Sequence, residues 1–477
     1  MQTPSLGSGG LPSRSVAGMA AGTSAEAMLP ALEPVKTPEG TFVQPPYLQL
    51  GDRPSLGGKT EALDLLWLAA ADVKLMDWAV ETKPSAGGTW RKSEGKLSTR
   101  LVQVEGIEPH TVVLAPLPNL EPGKLFDYRL LKDGKPVFAA RARARKSAKD
   151  PQRFVVFGDC AQGTDGQKKI AVQTLSAKPD FVFITGDIVY SKGLASEYKK
   201  NYWPVYNTDE SPLLRSTLTL AAPGNHDTRS TQLDKTGDGF AYFYYWNQPL
   251  NGPILANTKF AAPLGAANPK AFLTAAASTY PRMASYSFDY GNAHWTVLDA
   301  NGYMDWADPG LRQWVETDLK AAQKATWRFV AFHHPPFQSN KEHFNDQWMR
   351  SLAGLFEKYG VSVVWAGHVH DYQRSYPLKF VQEKPRDEKG AVEGKITVDK
   401  TYDGVKNTKA SAPIYIVTGA GGAGLYTNLE QGKLQDFTAK YIDDTHSLTV
   451  VDLDSRQLTA RQISAEGKEL DKWIVTK

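Results

Sequence analysis

FVFITGDIVY, running from Phe181 to Tyr190, divides into an apolar half and a chemical half. Phe181 to Thr185 is a short uncharged β-type run, the pattern of a strand buried on both faces. Gly186 then permits a sharp turn and close backbone approach, and Asp187 and Tyr190 follow just where the strand stops. Four other runs share this layout. Phe154 to Phe157 (FVVF) leads to Gly158-Asp159, and Leu218 to Ala222 (LTLAA) leads to Gly224-Asn225-His226-Asp227. Phe329 to Phe332 (FVAF) leads to His333-His334-Pro335-Pro336, and Val361 to Ala366 (VSVVWA) leads to Gly367-His368-Val369-His370. A sixth apolar run is Pro413 to Thr418 (PIYIVT). Helical periodicity over Leu311 to Ala325 and Gln347 to Tyr359 separates several of these runs, which is α/β alternation. In such sheets the carboxyl ends of the strands hold the active site.

Five strand ends thus bring carboxylates, an amide, a phenol and imidazoles to one rim, and five of the nine histidines fall within these motifs. Oxygen and imidazole ligands suit intermediate and hard metals, and no sulfur is among them. The set predicts a two-metal hydrolase site: one carboxylate bridges two ions about 3.5–4 Å apart, and each ion takes several terminal ligands. Asp159, Asp187, Tyr190, Asn225, His333, His368 and His370 are the seven candidate ligands. An isolated Asp, Asn or His at a strand end is usually a turn or cap residue, but five ordered motifs outweigh that explanation. Tyr190 rests on its place three residues after Asp187, and His226 on adjacency to Asn225. His343, ten residues past His333, rests on spacing in a loop. His334 is expected to make a structural hydrogen bond, and His110, His294 and His446 to be packing or surface residues. Cys160 is expected to point away from Asp159 as a small buried residue.

The rest of the chain bounds these readings. Its 477 residues allow two to four domains of about 100–200 residues each, and 41% hydrophobic with 22% charged residues is ordinary globular composition. The net charge of +4 gathers into no long block, which argues against a nucleic-acid partner. A single cysteine excludes an intrachain disulfide and a cysteine-based zinc site, and no run of 18 apolar residues exists to span a membrane. Residues 1–42, rich in Gly, Ser, Ala and Pro, read as a disordered tail or the remnant of an export signal. From about Tyr47 to Ala144, short runs such as Asp64 to Ala69 (DLLWLA) and Thr111 to Leu114 (TVVL), with Gly/Pro turns between them, predict a small antiparallel sandwich. Leu120, Pro122 and Gly123 followed by Phe126 and Tyr128 resemble the bend into a late strand of a fibronectin type III fold, with Phe126 where that fold usually carries its corner tyrosine. No titratable cluster marks this region, so a positioning module is expected.

Taken together, the strand-end blocks, Ser287 to Gly291 (SFDYG), Asp371 to Pro377 (DYQRSYP) and Thr418 to Gly422 (TGAGG) resemble the calcineurin-like metallophosphoesterase superfamily, in particular its purple acid phosphatase branch. The resemblance covers roughly residues 45–477. It implies a four-layer αββα catalytic domain, an α/β (α+β) fold spanning 149–477, preceded by a fibronectin type III-like sandwich at 43–148. It further implies trivalent iron held by Asp159, Tyr190 and His370, and a divalent iron, zinc or manganese held by Asn225, His333 and His368. Asp187 would bridge the two, and His226 and His343 would act on the substrate. Two departures stand out: Ala161 replaces the branch's usual glycine two residues after the first aspartate, and Glu342 stands where plant-type members often carry a second histidine. The implied activity is hydrolysis of small phosphate monoesters by hydroxide generated at the ion pair, with a secreted or periplasmic location. A phosphodiesterase or nucleotide hydrolase on the same scaffold is the alternative. A non-catalytic secreted binding protein is a third option, against which the intact ligand set argues. The sequence leaves oligomeric state and substrate open.

Overall fold

A computed structural model describes residues 29–228, 233, 235–254, 264 and 269–477. Its first eight strands are β1 (Gln44–Gln49), β2 (Glu61–Ala70), β3 (Trp78–Pro84), β4 (Arg91–Lys92), β5 (Ser98–Val102), β6 (His110–Leu120), β7 (Leu125–Lys132) and β8 (Lys135–Arg143). They pair antiparallel in two sheets, β1-β2-β6-β5 and β4-β3-β7-β8, forming the small sandwich expected from sequence. Alternation builds its core: Phe126, Tyr128 and Leu130 of β7 point inward beside Leu63, Leu65 and Trp67 of β2. β2 is apolar on its second face too, because Leu66 and Leu68 pack against the rest of the chain. Ahead of β1, Arg141 donates to the Pro30 carbonyl at 2.9 Å, Thr37 Oγ1 donates to the Val137 carbonyl at 2.8 Å and the Phe42 ring lies 5.6 Å from Trp78, so Pro30, Thr37 and Phe42 contact the sandwich. Residues 1–28 are outside those described.

Two larger sheets follow. β9 (Gln152–Phe157), β10 (Phe181–Ile184) and β11 (Leu218–Ala221) are parallel. β12 (Tyr286–Tyr290), β13 (Ala293–Val297), β14 (Trp327–Ala331), β15 (Val363–Ala366), β16 (Tyr372–Ser375), the hairpin β17 (Leu378–Gln382) and β18 (Gly394–Val398), β19 (Ile414–Thr418), β20 (Thr438–Ile442), β21 (Ser447–Leu453), β22 (Gln457–Ser464) and β23 (Glu469–Thr476) complete the set. The orders are β11-β10-β9-β21-β22-β23 and β12-β13-β14-β15-β19-β16-β20. Phe154, Phe181 and Phe183 of the first sheet meet Phe288, Trp295, Phe329 and Trp365 of the second, and Phe154 stands edge-on to Trp295 at 5.2 Å. Helices cover the outer faces. α1 (Asp165–Ala177), capped by Thr164 Oγ1, sets Ile170 and Ala171 against Val155 and Val182. Beyond α2 (Pro269–Ala276), α3 (Pro309–Ala321) starts at the cap Asp308 and buries Leu311, Val315 and Leu319 at helical spacing, and α4 (Ala353–Lys358) adds Leu355 and Phe356. The result is the four-layer αββα arrangement. No helix among the described residues is long and apolar enough to cross a membrane.

The single rim expected from sequence is built from two sheets. β9, β10 and β11 deliver Asp159, Asp187 and Asn225 from one, while β14 and β15 deliver His333, His368 and His370 from the other. Alternating strand and helix looks alike whether the next strand joins the same sheet or the facing one, so the sequence is blind to that split. The aromatic run Phe240–Trp246 does not reach the rim. It is buried between α1's sheet and the sandwich, where the Arg100 guanidinium donates to the carbonyls of Phe243, Tyr244, Ala275 and Ala276 at 2.6–3.0 Å. Arg145, fully buried beside Glu61 at 2.8 Å, also donates to the carbonyls of Arg53, Ser55 and Asp289, and so ties the sandwich to β12.

Candidate metal centre

Backbone pairing continues past the strand ends. Asp159, Cys160 and Ala161 donate in turn to the carbonyls of Gly186, Asp187 and Ile188, and Tyr190 donates back to Ala161. This extension sets Asp159 beside both Asp187 and Tyr190. Ala161 is buried in it, paired with Val189. Cys160 is buried, and its Sγ lies 3.3 Å from the Ile188 carbonyl, as expected of a packing residue. The sharp turns fall partly on the chemical residues themselves: Asp159, Asp187 and His368 have φ of 58°, 50° and 69°, a left-handed backbone costing about 1–2 kcal/mol each. Gly224 serves by close approach, since a Cβ there would stand 2.1 Å from Asp187 Oδ1.

All seven candidate ligands come together. The Tyr190 hydroxyl lies 3.1 Å from Asp159 Oδ1, 3.2 Å from Asp187 Oδ2 and 3.1 Å from His370 Nε2. His333 Nε2 lies 3.3 Å from Asp187 Oδ2, 3.0 Å from Asn225 Oδ1 and 3.2 Å from His368 Nδ1. Partners behind the rings fix which nitrogen faces inward. His333 Nδ1 donates to the Thr185 carbonyl at 2.8 Å, His370 Nδ1 to Gly424 at 2.5 Å, and His368 Nε2 to Asp346 Oδ2 at 3.0 Å. The inward atoms are therefore almost all acceptors.

Such a cluster needs positive charge. On the Tyr190 side, one hydroxyl hydrogen faces two carboxylates and an imidazole lone pair. Burial, then Asp159 and Asp187, push the phenol well above its usual range. Burial alone would make His333 neutral, but the Asp187 and Asp159 carboxylates prevail and lift it to about 9, so a proton supplies the charge there. Burial holds His368 down to about 4 against the pull of Asp346. A cation would replace both the tyrosine hydrogen and the His333 proton, and the donor set fits one on each side. Asp187, His333 and His368 are close enough to share an ion.

Two candidate histidines flank opposite halves. His226 lies 4.5 Å from the Tyr190 ring, centroid to centroid, with Nδ1 2.6 Å from the Ser191 carbonyl and Nε2 3.8 Å from Asp187 Oδ2. His343 lies 4.0 Å from the His368 ring, with Nδ1 3.2 Å from Asp346 Oδ2. Both rings reach solvent. Among the described residues His334 has no hydrogen-bond partner of the kind expected: its Nδ1 is buried without one, and the ring packs 4.2 Å from His368 and 4.9 Å from Trp348. His294 is more than packing, being clamped between Asp289 and Asp318 at 2.7 and 3.1 Å. Two neighbours of the cluster escaped the sequence reading. Asp346 stands alone in a polar loop, and Tyr426, in a glycine-rich loop, stacks on His370 at 4.1 Å and 8°. The short spacing His343-x-x-Asp346 was the only available signal for the first.

Residues 152–372 match the family model Calcineurin-like phosphoesterase. The chain contains a calcineurin-like phosphoesterase domain. Among curated proteins it is similar to Purple acid phosphatase 23 of Arabidopsis thaliana, 25% identical over 248 residues, or 47% of this chain and 48% of that protein. "Probable inactive purple acid phosphatase 1" of the same plant is 24% identical over 469 residues, 89% of this chain and 68% of its own. The chain thus spans about half the length of the curated relative first named. A purple acid phosphatase from yellow lupin (Lupinus luteus) seeds has a similar fold, with TM-score 0.66 at 17% identity over 90% of this chain and 74% of that one. The relatives of this phosphoesterase domain imply a binuclear metal site at the cluster described above.

Proposed function

We propose that the protein is a phosphomonoesterase of the purple acid phosphatase type. Asp159, Tyr190 and His370 hold a trivalent iron, and Asn225, His333 and His368 hold a divalent iron, zinc or manganese. Asp187 is shared, and the sandwich at 43–148 is a fibronectin type III-like module that braces the catalytic domain at 149–477. The observation that carries this reading is Asp187 Oδ2, which lies 3.2 Å from the Tyr190 hydroxyl and 3.3 Å from His333 Nε2 and so touches both ligand groups. A phenol, a carboxylate and an imidazole on one side, against an amide and two imidazoles on the other, with the Asp187 carboxylate common to both, suit a harder and a softer ion.

When bound, the ion pair supplies Lewis-acid charge for a phosphoryl oxygen and lowers the pKa of water. The side chains do the rest. Because His226 Nδ1 donates to Ser191, its Nε2 is the nitrogen turned to the centre, placed to donate to an equatorial phosphoryl oxygen as charge develops there. His343, on the far side, has Nδ1 on Asp346 and its Nε2 for the leaving oxygen, to which it delivers a proton as the alcohol departs. The test is metal analysis of purified protein joined to turnover on monoesters and diesters across pH. Monoester hydrolysis that a chelator abolishes and metals restore is expected. Metal-loaded protein that cleaves diesters in preference, or nothing, would overturn the reading.

A further inference from the structure

We infer that Asp346 is a positioning residue that ties the second metal position to the leaving-group histidine, an inference that rests on the phosphoesterase reading above. One oxygen, Asp346 Oδ2, lies 3.0 Å from His368 Nε2 and 3.2 Å from His343 Nδ1. A carboxylate oxygen only accepts, so both ring nitrogens donate to it. On His368 this puts the hydrogen on Nε2 and leaves the Nδ1 lone pair facing His333 Nε2, 3.2 Å away. On His343 it puts a hydrogen on Nδ1 and directs Nε2 away from the carboxylate. The two rings, 4.0 Å apart, are held as one unit.

The local chain is shaped for this. His343 has φ of 60°, and its carbonyl accepts from the Asp346 amide at 3.0 Å, a tight turn that folds the carboxylate back to the ring. Of the three candidate histidine ligands, His333 and His370 are oriented by backbone carbonyls. His368 alone of the three is oriented by a side chain, and that side chain is shared with the proposed acid. A residue serving only to hold the loop would influence neither the ion nor the leaving group in particular. Asp346 influences both through one atom.

The experiment compares Asp346→Ala, Asp346→Asn, His343→Ala and the double variant Asp346→Ala/His343→Ala. Divalent-ion affinity is measured by competition with a chromophoric chelator, without substrate. The ratio of alkyl phosphate to activated aryl phosphate turnover is measured at saturating metal. Loss of the carboxylate behind a ligating histidine should weaken the divalent ion about 10–100-fold in Asp346→Ala. The alkyl-to-aryl ratio should fall about tenfold or more, because only a poor leaving group needs the acid. Asp346→Asn keeps the side-chain shape and an accepting oxygen, and should show smaller losses in both. In the His343→Ala background, Asp346→Ala should still weaken the ion but leave the ratio where His343→Ala has already put it. Unchanged affinity in folded Asp346→Ala, or a further fall of the ratio in the double variant, would overturn the inference. If the alanine variant fails to fold, wild-type affinity and ratio in Asp346→Asn would do the same. Fully metallated wild-type protein that hydrolyses no phosphate ester would instead contradict the phosphoesterase reading, and the chelator measurement would still decide whether Asp346 supports the ion.

Discussion

His294 should make the phosphoesterase domain lose stability in mild alkali. It sits on β13 with Nδ1 2.7 Å from Asp289 Oδ1 and Nε2 3.1 Å from Asp318 Oδ2, joining the β12–β13 hairpin to α3. Thr296 Oγ1 donates to the same Asp318 oxygen at 2.7 Å. Burial disfavours the charged ring, but hydrogen bonds to two carboxylates prevail and raise His294 to about 9. Relative to about 6.5 in the unfolded chain, and at 1.36 kcal/mol per pH unit, this corresponds to about 3 kcal/mol. The folded value is the higher one, so the contribution is fully present below about pH 6.5 and is lost as pH rises through about 9. The perturbation is His294→Gln, which cannot carry the charge. Urea unfolding of both proteins, with metals kept constant from pH 6 to 9.5, should show the variant less stable at pH 6 by about 3 kcal/mol, the gap closing by most of that amount at the alkaline end. A gap independent of pH would refute the charged clamp and reduce His294 to a packing residue.

Two further outcomes follow from other parts of the molecule. If Tyr190 holds ferric iron, the oxidised protein should show a visible charge-transfer band that Tyr190→Phe removes; iron-loaded, active protein without the band would exclude the tyrosinate while leaving the wider family intact. Arg145→Met should destabilise the protein by about 3–5 kcal/mol, because Glu61 is left buried and unpaired, and adding Glu61→Gln should recover much of the loss in urea unfolding.

The strands, and the gathering of the seven candidate ligands in one place, were legible because the chemistry stands at fixed offsets from short apolar runs. Asp187 follows FVFIT at a distance that only a strand end explains. What escaped the sequence depends on contacts between distant segments. Asp318 reaches His294 from another element 24 residues away, and Asp346 meets His368 across 22 residues, so neither pairing leaves a local pattern. The burial of Phe240–Trp246 against the sandwich was hidden likewise, since it is a property of docking rather than of periodicity. His334 misled in the other direction: its place beside His333 suggested a hydrogen bond, whereas the fold surrounds it with rings. The division of the strand ends between two sheets was hidden for the same reason, as βα alternation reports element type and not sheet membership.

In the proposed centre one carboxylate, that of Asp187, is shared between two ions. Metal content and monoester turnover of wild type and Asp187→Asn, measured on the same preparations, test it most directly. Two ions per chain are predicted in the wild type. In the variant both sites should weaken together and turnover should fall by orders of magnitude, because the carboxylate oxygen that lies within 3.3 Å of both ligand groups loses its charge. An Asp187→Asn protein that keeps both ions and turns over near the wild-type rate would contradict a shared Asp187.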